Sequence, residues 1–171
     1  MQEATMVRET KETRAQTETR EYVTFGLNDE IFAIDALNVQ EIIELANITR
    51  VPQLPEFLKG VINLRGTIIP VIDLKLKFGM SSIEYKKHTC IIVAEFSGGV
   101  MGLIVDAVSD VLNLSQEAIS NTPSFGAKVK TDFIKGMAKV DNNLVIVLDV
   151  DKVLTSEETS VIAEAAASNV Q

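Results

Sequence analysis

Apolar and polar positions along this chain alternate in short bursts rather than in long helical stripes. The strongest runs, Thr67 to Leu74, Cys90 to Ala94, Val100 to Val105 and Leu144 to Val150, are each the length of a strand. Val, Ile and Leu dominate them, side chains that suit strands packed face to face. Turn residues stand between the runs: Asn28-Asp29, Arg65-Gly66, Ser97-Gly98-Gly99 and Asp141-Asn142-Asn143. The pattern predicts an all-β protein.

The same pattern occurs twice. Shifted by 76 positions, Phe57-Leu-Lys-Gly60 falls on Phe133-Ile-Lys-Gly136, and Ile68 to Leu74 falls on Leu144 to Val150. Upstream the offset is 69: Ile31-Phe-Ala-Ile34 meets Val100-Met-Gly-Leu103, and Val39-Gln-Glu-Ile-Ile43 meets Val108-Ser-Asp-Val-Leu112. The difference of seven is an insertion between Ser115 and Asp132. Each unit reads as a hairpin, a Val-x-acid-Ile segment that suits either a helical turn or a strand, a loop and a closing hairpin. A helical turn is expected from Pro55 to Gly60 and again from Thr131 or Asp132 to Gly136. About five short strands per unit make a small barrel, whose closure hides its sheet edges. Neither unit alone has much core, which is a physical reason to keep them fused.

The ends read differently. Residues 1–20 mix Glu, Arg, Lys and Thr without an apolar face, and are expected to form a leader outside the packed domain. It has no apolar signal core, so nothing argues for export. At the other end Thr155 and Glu158 form a capping box, so a helix should start near Ser156, with 155–171 as helix and tail.

Composition narrows the chemistry. Of the 171 residues, 24 are acidic and 16 basic, for a net charge of −8. That balance disfavours nucleic acid, which needs clustered Lys and Arg. No apolar run approaches the span of a bilayer. Cys90, the single cysteine, lies in an apolar strand and is expected to be a buried, reduced thiol. His88, the single histidine, sits beside Lys86 and Lys87 in an exposed junction. The sequence holds no metal-ligand spacing, nucleophile elbow or phosphate loop, so no catalytic residue, metal or cofactor is assigned. Asp73 and Asp149 hold equivalent strand-end positions and are expected to accept turn N–H groups.

The repeat also acts as an internal control. Asp141-Asn142-Asn143 is ordinary turn chemistry, but its counterpart is Arg65-Gly66-Thr67. Gly66 serves the turn, and the turn does not require an arginine. Arg65 is therefore either a solvated charge or a contact to a partner. Glu41 and Asp110 each follow a Val by two. Such a pair is either solvent-facing or an apolar anchor with a polar rim.

These residues carry a resemblance. In Val39-Gln-Glu-Ile42, Phe57-Leu-Lys-Gly-Val-Ile-Asn-Leu-Arg-Gly66, Ile69-Pro-Val-Ile-Asp-Leu74, Gly102-Leu-Ile-Val-Asp106 and Val108 to Leu112, the chain resembles the CheW family of bacterial chemotaxis adaptors. The likeness runs from about Glu21 to Glu158. It implies two five-stranded SH3-like barrels with short helical turns and a C-terminal helix. It further implies that the first hairpins are exchanged, giving an outer barrel of 20–36 plus 110–153 and a middle barrel of 37–109; without exchange the halves are 21–80 and 88–154. By the same resemblance the chain is cytoplasmic and recruited to membrane receptor arrays without inserting in the membrane. There it couples the cytoplasmic tip of chemoreceptors to the regulatory domain of the histidine kinase CheA. Receptor binding is carried to Val39, Glu41, Ile42 and Arg65, with Gly60 and Gly66 as supports, and kinase binding to the hairpin of Met137 and Leu144. A scaffold of another receptor–kinase pathway, such as surface motility, would carry the same residues.

Overall fold

Strands in an ordinary antiparallel sheet bury one face, but the apolar runs of this chain are buried on both. The computed structural model describes residues 18–80, 84–121 and 132–169. Eleven strands follow one another among them. They are β1 (Thr19–Leu27), β2 (Glu30–Asp35), β3 (Val39–Glu44), β4 (Leu58–Leu64), β5 (Thr67–Asp73), β6 (Cys90–Phe96), β7 (Gly99–Val105), β8 (Ala107–Ser115), β9 (Ile119–Ser120), β10 (Ile134–Val140) and β11 (Asn143–Leu148). A one-turn helix, α1 (Leu74–Lys77), follows β5, and α2 (Ser156–Asn169) is the last described element.

Two sheets result, ordered β3-β6-β7-β5-β4 and β8-β1-β2-β11-β10-β9. The orders correspond strand for strand under the repeat, and each sheet takes its first hairpin from the other copy. β5 therefore runs parallel to β7, and β11 parallel to β2. The second sheet gains a sixth strand because β9 is long enough to pair with β10; in the first, the same place holds a single bridge, Thr49 to Val61.

Because the hairpins are exchanged, their strands face two cores. Ile91 and Val93 join Ile62, Val71 and Ile104 inside one barrel, while Tyr22 and Ala33 join Val145 and Val147 inside the other. The intervening Ile92, Ala94, Val23 and Phe25 face a third core between the barrels, shared with Leu58, Leu103 and Leu148. The shared core holds 18 buried residues against six in each barrel, so the barrels stabilise each other more than themselves. An aromatic ladder crosses it, with Phe78 stacked on Phe133 at 4.4 Å.

The C-terminal helix seals this seam. Ile162 enters the shared core. The capping box forms as expected, with Glu158 N donating to Thr155 Oγ1 and Thr155 N to Glu158 Oε1. Lys77 Nζ of α1 reaches both Glu158 oxygens at 2.8 Å. Burial alone would raise the Glu158 pKa, but Lys77 and the Thr155 bonds outweigh it and hold it below the usual range.

The helical turns expected before Gly60 and Gly136 are absent. Residues 56–57 and 132–133 form tight turns instead, Leu58 N donating to Pro55 O, and lead directly into β4 and β10. Both glycines sit inside those strands, where the register shifts. Their role is close approach: a Cβ on Gly60 would overlap the Thr49 carbonyl, and one on Gly136 would lie 2.6 Å from Ser120 O. Cys90 also departs from expectation. At the start of β6 it is half-buried, its thiol pKa raised by burial against a smaller opposing backbone bond from Val108.

Two outcomes follow. Gly60→Ala, strained at φ +144° and crowded, should cost roughly 2–4 kcal/mol in urea unfolding, while Gly66→Ala, at φ +89° in open space, should cost only about 1 kcal/mol. Since the Glu158 pKa is depressed by folding, its contribution is present above the unfolded carboxyl value and lost as pH falls through the folded one. Glu158→Gln should therefore lower stability by a constant amount above about pH 4.3 and flatten the fall in stability below it, so that the two profiles converge in acid.

Candidate functional site

Each barrel must close between its edge strands, and one closure gathers the residues singled out by the repeat. β3 and β4 are opposite edges of the five-stranded sheet, yet Arg65 Nη2, beyond the end of β4, lies 2.9 Å from Glu41 Oε1 on β3. Three local features position this pair. A bulge between Val39 and Glu41, matched in β8 by the shift at Thr24/Phe25 between Val108 and Asp110, re-aims the acid. Thr49 then brings the chain back to β4, its N–H donating to Val61 O at 2.8 Å and its carbonyl accepting from Val61 N at 2.9 Å. That approach requires Gly60. Last, the two-residue turn Arg65-Gly66 has both φ values positive, 51° and 89°, with Asn63 Oδ1 accepting from Gly66 N.

Both hairpin turns share this geometry, since Asp141 and Asn142 have φ of 49° and 67°. Asp and Asn tolerate the left-handed region; an arginine there carries a cost of about 1 kcal/mol. Arg65 is 71% exposed against 30% for Glu41, and an exposed pair is worth about 0–1 kcal/mol. Their bond at most offsets the strain, so folding alone does not account for the arginine.

Around the pair, Ile42 is exposed on the edge strand while Ile43 packs into the barrel. Val39 is half-buried against the shared core. Val39, Glu41 and Ile42 thus share β3, and Arg65 joins Glu41 across the closure. Met137 and Leu144 belong to the other sheet. Met137 is half-buried in β10, and Leu144 is exposed at the start of β11, opposite Lys139.

Other polar groups have structural tasks. Asp73 Oδ1 accepts from Lys75 N and Leu76 N, and Asp149 Oδ1 from Asp151 N. Tyr85 donates to Asp73 Oδ2 at 2.8 Å; burial first, and then that carboxylate, push the phenol pKa well up. His88 is exposed. Among the described residues no group of three His, Cys, Asp or Glu side chains could hold a metal ion, and no helix is long and apolar enough to cross a membrane.

Sequence reasoning missed one cluster. Lys75, nearly buried, places Nζ 2.7 Å from Asp106 Oδ1, and Asp106 Oδ2 accepts from Asn28 N at 2.7 Å. These residues line a cleft of about 560 Å³. A lysine beside the apolar Leu74 gave no sign of burial; the available signal was that Asp106 aligns with Leu37 under the repeat.

Comparison with known proteins agrees with this architecture. Residues 21–158 match the CheW-like domain. The chain is 39% identical over 154 residues to the chemotaxis protein CheW of Klebsiella aerogenes, covering 90% of this chain and 93% of that one. It is 38% identical over 137 residues to the CheW of Thermotoga maritima, covering 78% and 87%. The crystal structure of the scaffolding protein TtCheW from Thermoanaerobacter tengcongensis is similar with a TM-score of 0.74 at 37% identity, over 81% of this chain and 90% of that one. With its two barrels, exchanged hairpins and matching motifs, the chain belongs to the CheW-like domain family.

Proposed function

We propose that this protein is a chemotaxis adaptor that holds chemoreceptors and the histidine kinase CheA in one signalling complex in the cytoplasm. The observation that carries the reading is the Arg65–Glu41 pair, an arginine kept at a costly backbone position in one repeat and absent from the other. Its surroundings suit a protein partner. Ile42 offers an exposed apolar anchor beside a charged rim, the combination that seats an amphipathic helix such as a receptor tip. A net charge of −8 keeps nucleic acid away.

On this reading Val39, Glu41, Ile42 and Arg65 meet the receptor, Gly60 and Gly66 hold their backbone, and the hairpin of Met137 and Leu144 meets the kinase. The working units are an outer barrel of about 20–36 plus 110–153 and a middle barrel of about 37–109. Binding two partners at separate faces raises their effective concentration without chemistry in the adaptor itself.

Arg65→Asp tests the assignment. The variant should unfold within about 1 kcal/mol of the parent, because the lost pair is exposed. It should bind a receptor fragment at least about tenfold more weakly, as expected for a charge at an interface anchor. The reversed pair Glu41→Arg with Arg65→Glu should restore stability and leave binding weak. Unchanged receptor assembly and unchanged kinase control by Arg65→Asp would rule the site out.

A further inference from the structure

The chain passes between the two sheets twice, once at Ala36–Asn38 between β2 and β3 and once at Asp106 between β7 and β8. The repeat makes the crossings equivalent, Leu37 aligning with Asp106. It also aligns Asn28 with Ser97 in the hairpin turns, and Lys75 with Asp151 after the last strands.

At the second crossing the three positions form one lock. The Asp106 carboxylate joins Lys75 Nζ at 2.7 Å to Asn28 N at 2.7 Å, and its own N–H donates to Gly26 O at 3.0 Å. The lysine is only 7% exposed, so this ion pair is poorly screened. At the first crossing the carboxylate has moved onto the other partner. Asp151 Oδ1 accepts directly from Ser97 N at 2.7 Å, and the crossing residue drops out. That residue, Leu37, is 86% exposed. The segment is held by local caps, Leu37 N donating to Asp35 Oδ1 and Val39 N to Ala36 O, and by an exposed bond from Asn38 Nδ2 to Glu95 O. Ala36 and Val39 are half-buried against the shared core, with no ion pair at the crossing residue itself.

We propose that the joint between the barrels is one-sided, pinned at Asp106 and hinged at Ala36–Asn38. The pin sits by the turn that precedes β2 and the hinge follows its end, so they are separated by the length of a six-residue strand, about 20 Å. Small rocking about the pin therefore becomes displacement at the hinge, where β3 begins. If β3 carries the partner face, as proposed above, this motion moves that face; the hinge itself does not depend on that reading.

Amide hydrogen exchange on the full chain tests it. Amides of Ala36–Val39 should exchange roughly tenfold or more faster than those of Val105–Ala107. Leu37→Lys puts an ammonium at the position equivalent to Asp106, with Asp151 at the position equivalent to Lys75, so the repeat predicts a reversed copy of the same ion pair. It should slow exchange at 36–39 by about threefold or more and leave 105–107 unchanged. Lys75→Met should speed exchange at 105–107 and in the Asn28 turn. Equal protection of the two crossings in the parent chain, or no response at 36–39 to Leu37→Lys, overturns the hinge, even if Lys75→Met fails to fold. Slowed exchange in Leu37→Lys with unaltered receptor binding supports the hinge and counts against β3 as the partner face.

Discussion

The whole molecule depends on burying both faces of the four strands β1, β2, β6 and β7. Exchanging the first hairpins lets one face of each fill a barrel while the other fills the core between barrels. Met101, Leu103 and Val105 of β7 lie in the shared core, with Ile104 between them in the barrel. A one-residue slip in such a strand would swap the two sets, and each core would receive side chains shaped for the other. Register is therefore fixed from two sides.

The seam dictates where polar groups can go. Lys75 is nearly buried at its rim and is tolerated because Asp106 meets it at 2.7 Å. Removing Asp106 would leave the nearly buried ammonium without its ion pair, a larger loss than the pair itself contributes. Lys77 solves the same problem differently. Its ammonium lies over the Phe57 ring, Nζ 4.8 Å from the centroid, and bonds Glu158 from there. The C-terminal helix is thereby anchored to α1, and Ile162 is carried into the shared core.

Much of this was legible in the sequence because the chain is its own alignment. Comparing Phe57–Leu74 with Phe133–Val150 located both closing hairpins, and the turn residues and capping box located ends correctly. The misreadings share a cause. Pro55 and Gly60 resemble the start and end of a helix, but Gly60 is there for a neighbouring backbone, Thr49, that is eleven residues away and invisible to local rules. Cys90 lies in an apolar run, yet its place as the first residue of β6 leaves it half-exposed. Val39-x-Glu41 could be helix or strand on periodicity, because a bulge breaks the alternation in both copies.

Arg65 bears the opposite relation to local rules. Its neighbours predict the turn, and the turn is found; only the residue violates the preference. The bond to Glu41 is exposed, so it stabilises weakly, and the left-handed backbone costs about as much. A charge pair that contributes little to folding can be broken at little cost, so a partner that competes for either member need not unfold anything to engage it. On the proposed reading, the same weakness that makes the pair a poor support for the barrel suits it to a contact, since Glu41 and Arg65 are already placed before binding. The Lys75–Asp106 pair is less free to separate, because that would leave the nearly buried lysine ammonium unpaired at the seam. The two ion pairs thus differ by the burial of their cations: Lys75–Asp106 ties the crossing into the seam, and Arg65–Glu41 stays exposed at the closure of a single barrel.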